Sequence, residues 1–262
     1  MVPYSARRQL VRRAVGFGLW LGLFLAAAAL CDLSPAILKQ GLGKAPQFAR
    51  EFFPPLWAAA DEMVEPLLST LALASAASLL GMLLAFPVGL AAAANIVPMW
   101  LRLPVRILLG AERALPEILQ LLFFVVAFGL GPFSGMCALA FSSIGMLGKL
   151  VGDAIEDADY KVLESLKATG ASFWQVIRYG LLPQVLPSLA ANALFRFDVN
   201  VRSSVVLGAI GAGGIGAEIA RSMGMLQYNR ATMAVLGSLI LIYAAETVSG
   251  QLRRRLLEDG RS

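Results

Sequence analysis

The chain contains no histidine, only two cysteines, and 15% charged residues over 262 positions. Without histidine, the Ser-His and Cys-His nucleophile pairs and most zinc sites are excluded. Cys31 and Cys137 stand in different segments and offer no disulfide framework; small buried hydrophobes is the reading that suits them. Charge this scarce lies far from the roughly 25% of soluble domains, so much of the chain has lipid as its solvent. An intramembrane enzyme would need a catalytic pair that is not present, and no metal site or bound cofactor is expected.

What is present is apolar length. Hydrophobic residues make up 58% of the chain, and charge-free runs extend from Ala14 to Cys31 (18 residues), Leu67 to Leu101 (35) and Ile118 to Gly148 (31). Each is at or above the length that crosses ~30 Å of hydrocarbon. The expectation is an all-α integral membrane protein forming a single domain over residues 1–262. About six transmembrane helices are expected, near 14–31, 67–94, 106–129, 135–151, 187–208 and 231–252. Gly129-Leu-Gly-Pro-Phe-Ser-Gly135 divides the third run with a turn. Arg7-Arg8 before an apolar run and Cys31 has the look of an export signal, but 18 residues is long for a signal core and Leu30 is too large for lipoprotein processing. An uncleaved first span fits better.

Six spans put both termini on one side. The amino end, Arg102 and Arg106, Lys149 to Arg178 and the carboxyl end, including Arg261, hold 14 of the 22 basic residues, against five on the other face. Basic residues favour the cytoplasmic side, so both termini and the polar stretch 153–186 are expected there. The net charge of +5 is thereby explained by topology and gives no argument for nucleic-acid binding.

Within that stretch, Glu164-Ser-Leu-Lys-Ala-Thr-Gly170 is followed after nine residues by Gly180-Leu-Leu-Pro183. Asp159 is an acidic start for a short helix with Val162, Leu163 and Leu166 on one edge. Gly170 can take the positive φ that closes it, Ala171-Ser172 can restart a second helix, and Pro183 and Pro187 are expected to end that one. An ordinary helical linker between spans is the plain alternative. The segment resembles the cytoplasmic coupling loop of ABC-importer permeases, Glu-Ala-Ala, three residues, Gly, nine residues, Ile-x-Leu-Pro. Glu164, Gly170, Leu182 and Pro183 match, Ser165 and Leu166 replace the alanines, Ala168 lies between, and Gly180 replaces the isoleucine.

From about Phe52 to Arg255 the resemblance narrows to the phosphonate-uptake permeases, with relatives for phosphite and hypophosphite. It is carried by Arg113-Ala-Leu-Pro-Glu117, Gly129-Leu-Gly-Pro-Phe133, Ile144-Gly-Met-Leu-Gly-Lys149, Leu182-Pro-Gln184, Phe195-Arg-Phe197, Asn200-Val-Arg202 and the Gly208 to Gly216 run. Ser142-Ser143 stands where a histidine is frequent, and Asp198 where a glutamate is common. The resemblance implies the type I importer permease fold and a second permease subunit, identical or related. It also implies two ATPase subunits that hold ATP and magnesium, and a periplasmic binding protein delivering the oxyanion. A methionine-type permease of the same architecture and a non-transporting scaffold are the rival readings.

Arg196, Asp198, Asn200 and Arg202 fall roughly 13 to 22 Å along the fifth span, and Glu117 about 16 Å along the third. Unpaired ionisable groups at such depth cost at least ~2.5 kcal/mol each. The spacing pairs Asp198 with Arg202, and Arg196 with Asn200, on the same helix faces. Either these residues lock the bundle or they line an anion pathway. Gly211, Gly213, Gly214 and Gly216 are read as an outer gate or as a tight turn. Their letters match a dinucleotide fingerprint, but a span precedes them where that motif needs a strand. The segment from Asp32 to Pro66, with Trp57, Asp61, Glu62 and Glu65, is expected at the outer surface as an amphipathic element, against lipid or a binding protein.

Overall fold

The protein is described by a computed structural model over residues 4–31 and 33–259, so Asp32 and Arg261 lie outside the described residues. Every regular element among these residues is helical, and the chain divides into two compact units, Met1–Pro54 and Pro55–Ser262.

The first unit holds α1 (Tyr4–Leu30) and α2 (Pro35–Phe52). Ser34 caps α2 by accepting from Ile37 N at 3.2 Å, and Pro35 opens it, where its missing N–H is no loss. Ile37, Leu38, Leu42, Phe48 and Phe52 fall on one side of α2 by helical spacing, with Lys39 and Arg50 on the other. Of the segment expected to be amphipathic, α2 carries that pattern, while Trp57, Asp61 and Glu62 lie on two short 3-10 turns, Trp57–Ala59 and Asp61–Met63, of the second unit.

The second unit is built from α3 (Val64–Ala92), α4 (Met99–Ala114), α5 (Glu117–Phe128), α6 (Pro132–Glu156), α7 (Tyr160–Ala168) and α8 (Phe173–Gln175). A π-wound turn, Val176–Leu181, leads into α9 (Leu182–Leu207), followed by α10 (Gly214–Gly224) and α11 (Tyr228–Asp259). The helix pair α3 and α6 forms its spine. Ala74, Ala77, Ser78, Gly81, Ala85 and Gly89 make a buried stripe along α3 at three- and four-residue steps. Lipid supplies no hydrophobic drive between helices, so close backbone approach through small residues must supply the cohesion. A Cβ on Gly81 would lie 3.2 Å from the Ala140 carbonyl, and one on Gly89 would lie 2.9 Å from that of Gly148.

By length and composition three described helices can cross a membrane, within Asp61–Ala92, Pro132–Glu156 and Tyr228–Leu256; a fourth is added if Phe173–Ala212 and Gly214–Gly224, bent by 53°, count as one span. Val15–Leu30 and Glu117–Phe128 are shorter apolar helices. The stretch expected as one span over 106–129 is two helices, α4 and α5, meeting at Leu115-Pro116. Proline disfavours the helical conformation in the residue before it, and Leu115 has ψ 125°.

Two prolines do not end helices as expected. Pro183 is the second residue of α9 and Pro187 lies within it. The π-wound turn, in which Leu182 N donates to Ile177 O, re-registers the backbone immediately before Pro183, whose position near the helix start needs no donor. The side chain of Gln184 donates to the Gly180 carbonyl at 2.8 Å, serving a backbone acceptor at the same turn.

Candidate functional site

The α9 sequence places polar groups on two faces of a membrane-depth helix. Arg196, one turn before Asn200, points toward α6 and is 4% exposed. Its Nε donates to Ser143 Oγ at 2.9 Å, and Nη2 donates to Ser142 Oγ at 2.8 Å and to Glu117 Oε1 at 3.1 Å. Ser142 in turn donates to the same Glu117 oxygen at 3.0 Å. Asn200 Nδ2 donates to Ser78 Oγ at 2.8 Å and Ser143 Oγ at 3.1 Å, tying in α3. Ser78 and Ser143 pass their own protons to the carbonyls of Ala74 and Leu139, each at 2.6 Å. Four helices thus join in one network around the guanidinium, α5 and α6 by direct bonds and α3 through Asn200. Glu117, Arg196 and Asn200 are brought together as a group; the Ser142-Ser143 pair that replaces a frequent histidine supplies hydroxyls in the center of it.

Asp198 and Arg202 do not pair with each other. Asp198 is buried and its Oδ1 accepts from Ser249 Oγ, while Arg202 reaches Glu246 Oε2 at 3.2 Å with both side chains about half exposed. Their shared helix face is real, but α11 lies along it and supplies Ser249 and Glu246, three residues apart, as nearer partners. Removing Asp198 therefore does not orphan Arg202, and the depth argument for burial fails for Arg202.

Beyond α9 the glycine run turns sharply. Gly211, Gly213 and Gly214 have φ of 125°, 79° and 67°, values open to glycine at no steric cost. Gly216 folds back on Gly208, so a Cβ there would lie 2.7 Å from Ala209 N and 2.9 Å from Gly208 Cα. Thr70 on α3 fastens the start of α10, accepting from Ile215 N at 2.8 Å. A carboxylate that the sequence reading passed over holds the far side: Glu218, 5% exposed, accepts from Arg221 at 2.9 Å and Arg230 at 2.8 Å, and Arg230 pairs with Glu62 at 2.7 Å. The Glu218–Arg221 spacing of three was the available signal. Glu112 and Gln120 were passed over too; Gln120 Nε2 donates to Glu112 Oε1 at 3.1 Å, and Glu112 Oε2 is buried without a partner. No group of three or more His, Cys, Asp or Glu able to hold a metal occurs among the described residues.

The 153–186 stretch is two short helices and a turn. Asp159 Oδ1 accepts from Lys161 N at 2.9 Å and so caps α7; Gly170 has φ 82°; and Ser172 with Gln175 forms a capping box that starts α8. Glu164, Ser165, Ala168, Gly170 and Pro183 are exposed, Leu166 and Leu182 half-buried. Leu163, Val176, Ile177 and Leu181 are buried in one cluster with Val151 and Ile155 of α6. Gln184 Oε1 accepts from Asp159 N at 2.8 Å, joining the start of α7 to that of α9. The loop is consequently tied to the bundle at both its ends.

The model of the family described as "binding-protein-dependent transport system inner membrane component" matches residues 85–258. The chain belongs to this family. The phosphite transport system permease protein PtxC of Stutzerimonas stutzeri is 36% identical over 248 residues, covering 94% of this chain and 89% of that one. The phosphate-import permease protein PhnE of Mycolicibacterium smegmatis is 36% identical over 242 residues, covering 92% of this chain but 46% of that protein. Among solved structures, the inward-facing MetNI methionine ABC transporter is similar with a TM-score of 0.65 at 25% identity, covering 74% of this chain and 95% of that one. The fold is that of type I importer permeases, and the chain is an inner-membrane permease subunit, not an enzyme.

In this permease two of the three departures from the loop motif, Leu166 and Gly180, compensate each other. A Cβ on Gly180 would lie 2.6 Å from Leu166 Cδ1 and 3.0 Å from Leu163 Cδ2. Leucine at 166 fills the space that a side chain at 180 would need, a volume exchange of the kind that packed cores tolerate. Gly180→Ile is expected to lower the amount of folded permease in the membrane, and adding Leu166→Ala should recover most of it, as read by fluorescence-detected size exclusion. An undiminished single variant would show that the two positions are not packed together.

Proposed function

We propose that this chain is the membrane subunit of an ATP-driven importer that carries a phosphonate-type oxyanion, a phosphonate, phosphite or hypophosphite, into the cytoplasm. A periplasmic binding protein delivers the anion; two ATPase subunits, which hold the ATP and magnesium, dock on the 153–186 loop through Glu164, Ser165, Leu166, Ala168, Gly170, Leu182 and Pro183. A second permease subunit, identical or related, completes the path. Both termini face the cytoplasm, and Gly211, Gly213, Gly214 and Gly216 act as the hinge of an outer gate.

The observation that carries this reading is Arg196, a buried guanidinium at membrane depth whose partners are one carboxylate and two hydroxyls. Buried cations within a transporter bundle mark ion pathways by default, and arginine suits planar or tetrahedral oxyanions through paired N–H groups. PtxC and PhnE carry phosphite and phosphate in their names, which supports the substrate class. The exposed, rigidly tied face of α7 suits docking of a soluble partner.

A second reading has two observations in its favour. The MetNI likeness and the Arg196–Glu117 pair, with one charge of each sign, suit an amino acid zwitterion such as methionine. Import into proteoliposomes holding the permease, its ATPase and its binding protein distinguishes the two. Phosphite or methylphosphonate uptake driven by ATP is the expected result; methionine uptake alone would favour the alternative, and no uptake of either would overturn the transport reading. For orientation, a cysteine at Ser172 should label from the cytoplasmic side, and labelling only from outside would reverse it.

A further inference from the structure

The Arg196 pair is unequal in a way that points to exchange. Arg196 is 4% exposed and fixed by α6, whereas the Glu117 side chain is 29% exposed and begins α5 directly after the Pro116 break. A single carboxylate oxygen, Oε1, takes both the Arg196 Nη2 bond at 3.1 Å and the Ser142 bond at 3.0 Å. Arginine and carboxylate at their best pair through two parallel bonds, so the match here is half made. The other edge of the guanidinium is poorly served: among the described residues Nη1 has one hydrogen-bond contact, Met146 Sδ at 3.7 Å, a weak acceptor. The arginine and the serine therefore form an oxyanion cradle with a donor to spare, filled from its accessible edge by the chain's own carboxylate.

Resting on the proposed transport of an oxyanion, we infer that Glu117 is a resident stand-in for the substrate. Its carboxylate occupies the Arg196–Ser142 cradle while the pathway is empty. An arriving phosphonate-type oxyanion, with two or three oxygens to offer, takes Nη1, Nη2 and the Ser142 hydroxyl and displaces it. The exchange keeps Arg196 from being left as an unpaired buried charge at any stage. Because Glu117 sits at the first residue of α5, its displacement is coupled to the angle at which α5 leaves the α4 break.

The test is the complete importer in lipid nanodiscs, without nucleotide, titrated with phosphite or methylphosphonate and followed by thermal unfolding of the permease. Glu117→Gln keeps the shape and the acceptor oxygen but removes the charge. The variant should melt below the wild type without anion, and anion should stabilise it more. Its half-saturating anion concentration should fall about tenfold, as expected if the resident carboxylate leaves the cradle free about one part in ten. Glu117→Asp, which draws the carboxylate back by one methylene, should fall between the two and serves if the glutamine variant does not assemble. Glu246→Gln is the control, since Glu246 pairs with Arg202 at 3.2 Å and is not among the groups bonded to Arg196. An equal gain in Glu246→Gln would mean a general loss of negative charge and would overturn the exchange. So would an unchanged or weaker anion response in Glu117→Gln and Glu117→Asp while the wild type still imports oxyanion, an outcome that leaves the transport reading standing. A wild type that imports no oxyanion would remove that reading and the exchange together.

Discussion

Replacing Gly170 with valine is expected to cut ATP hydrolysis stimulated by the loaded binding protein by roughly 5- to 30-fold, while the permease remains assembled in the membrane. The size of the effect follows from backbone alone. Gly170 has φ 82° and a Cβ there would meet nothing within 4 Å, so no clash contributes. It closes α7 with a paired turn, in which Gly170 N donates to Lys167 O at 3.0 Å and Ala171 N to Leu166 O at 3.3 Å. That arrangement requires a left-handed residue at Gly170. The left-handed form costs about 1–2 kcal/mol for an L-residue, and more for a β-branched one. This suffices to shift a loop conformation and is too little to unfold a bundle whose core lies elsewhere. Gly170→Asn, which tolerates the same φ, should retain most of the stimulated rate. Normal stimulation in the valine variant would mean that the 153–186 loop does not transmit force to the ATPase.

Arg196→Met is expected to abolish import and to reduce assembly, the latter by about 3–5 kcal/mol, the scale for removing one partner of a buried pair. Methionine matches the aliphatic stem, so the loss is of the cation and its N–H groups. Three acceptors lose a donor at once: the Glu117 carboxylate, which loses its counter-charge, and the Ser142 and Ser143 oxygens that accept from the guanidinium. Combining Arg196→Met with Glu117→Gln removes both charges and should return the protein to the membrane, as measured by yield of folded complex. Import should stay absent. If the double variant imports as well as the wild type, the network only locks four helices together and has no part in the pathway.

Composition and local pattern were enough for the helical class, the membrane setting and the loop. Scarce charge and long apolar runs depend only on what the solvent must be; the count of six was not settled by them, since three described helices, or four with the bent pair, are long and apolar enough to cross. Asp159 as cap and Gly170 as the left-handed residue were legible because both are local events, set by bonds within five residues. That Arg196 and Asn200 share a helix face was legible from their i,i+4 spacing, whereas Ser143, which accepts from both, comes from α6.

What the tertiary structure decided is which neighbouring helix each polar face meets. Asp198 and Arg202 share a face, yet α11 brings Ser249 and Glu246 closer than they come to each other. Glu117 and Arg196 are 79 residues apart and meet only because α5 and α9 both pack on α6. The break at Leu115-Pro116 and the continuity of α9 past Pro183 and Pro187 were likewise undetermined by proline alone. The same residue ends a helix or is carried through it according to whether a neighbouring turn can take up the missing hydrogen bond. Sequence fixes which groups cannot stand alone in lipid; the packing of distant helices fixes the partner that each of them takes.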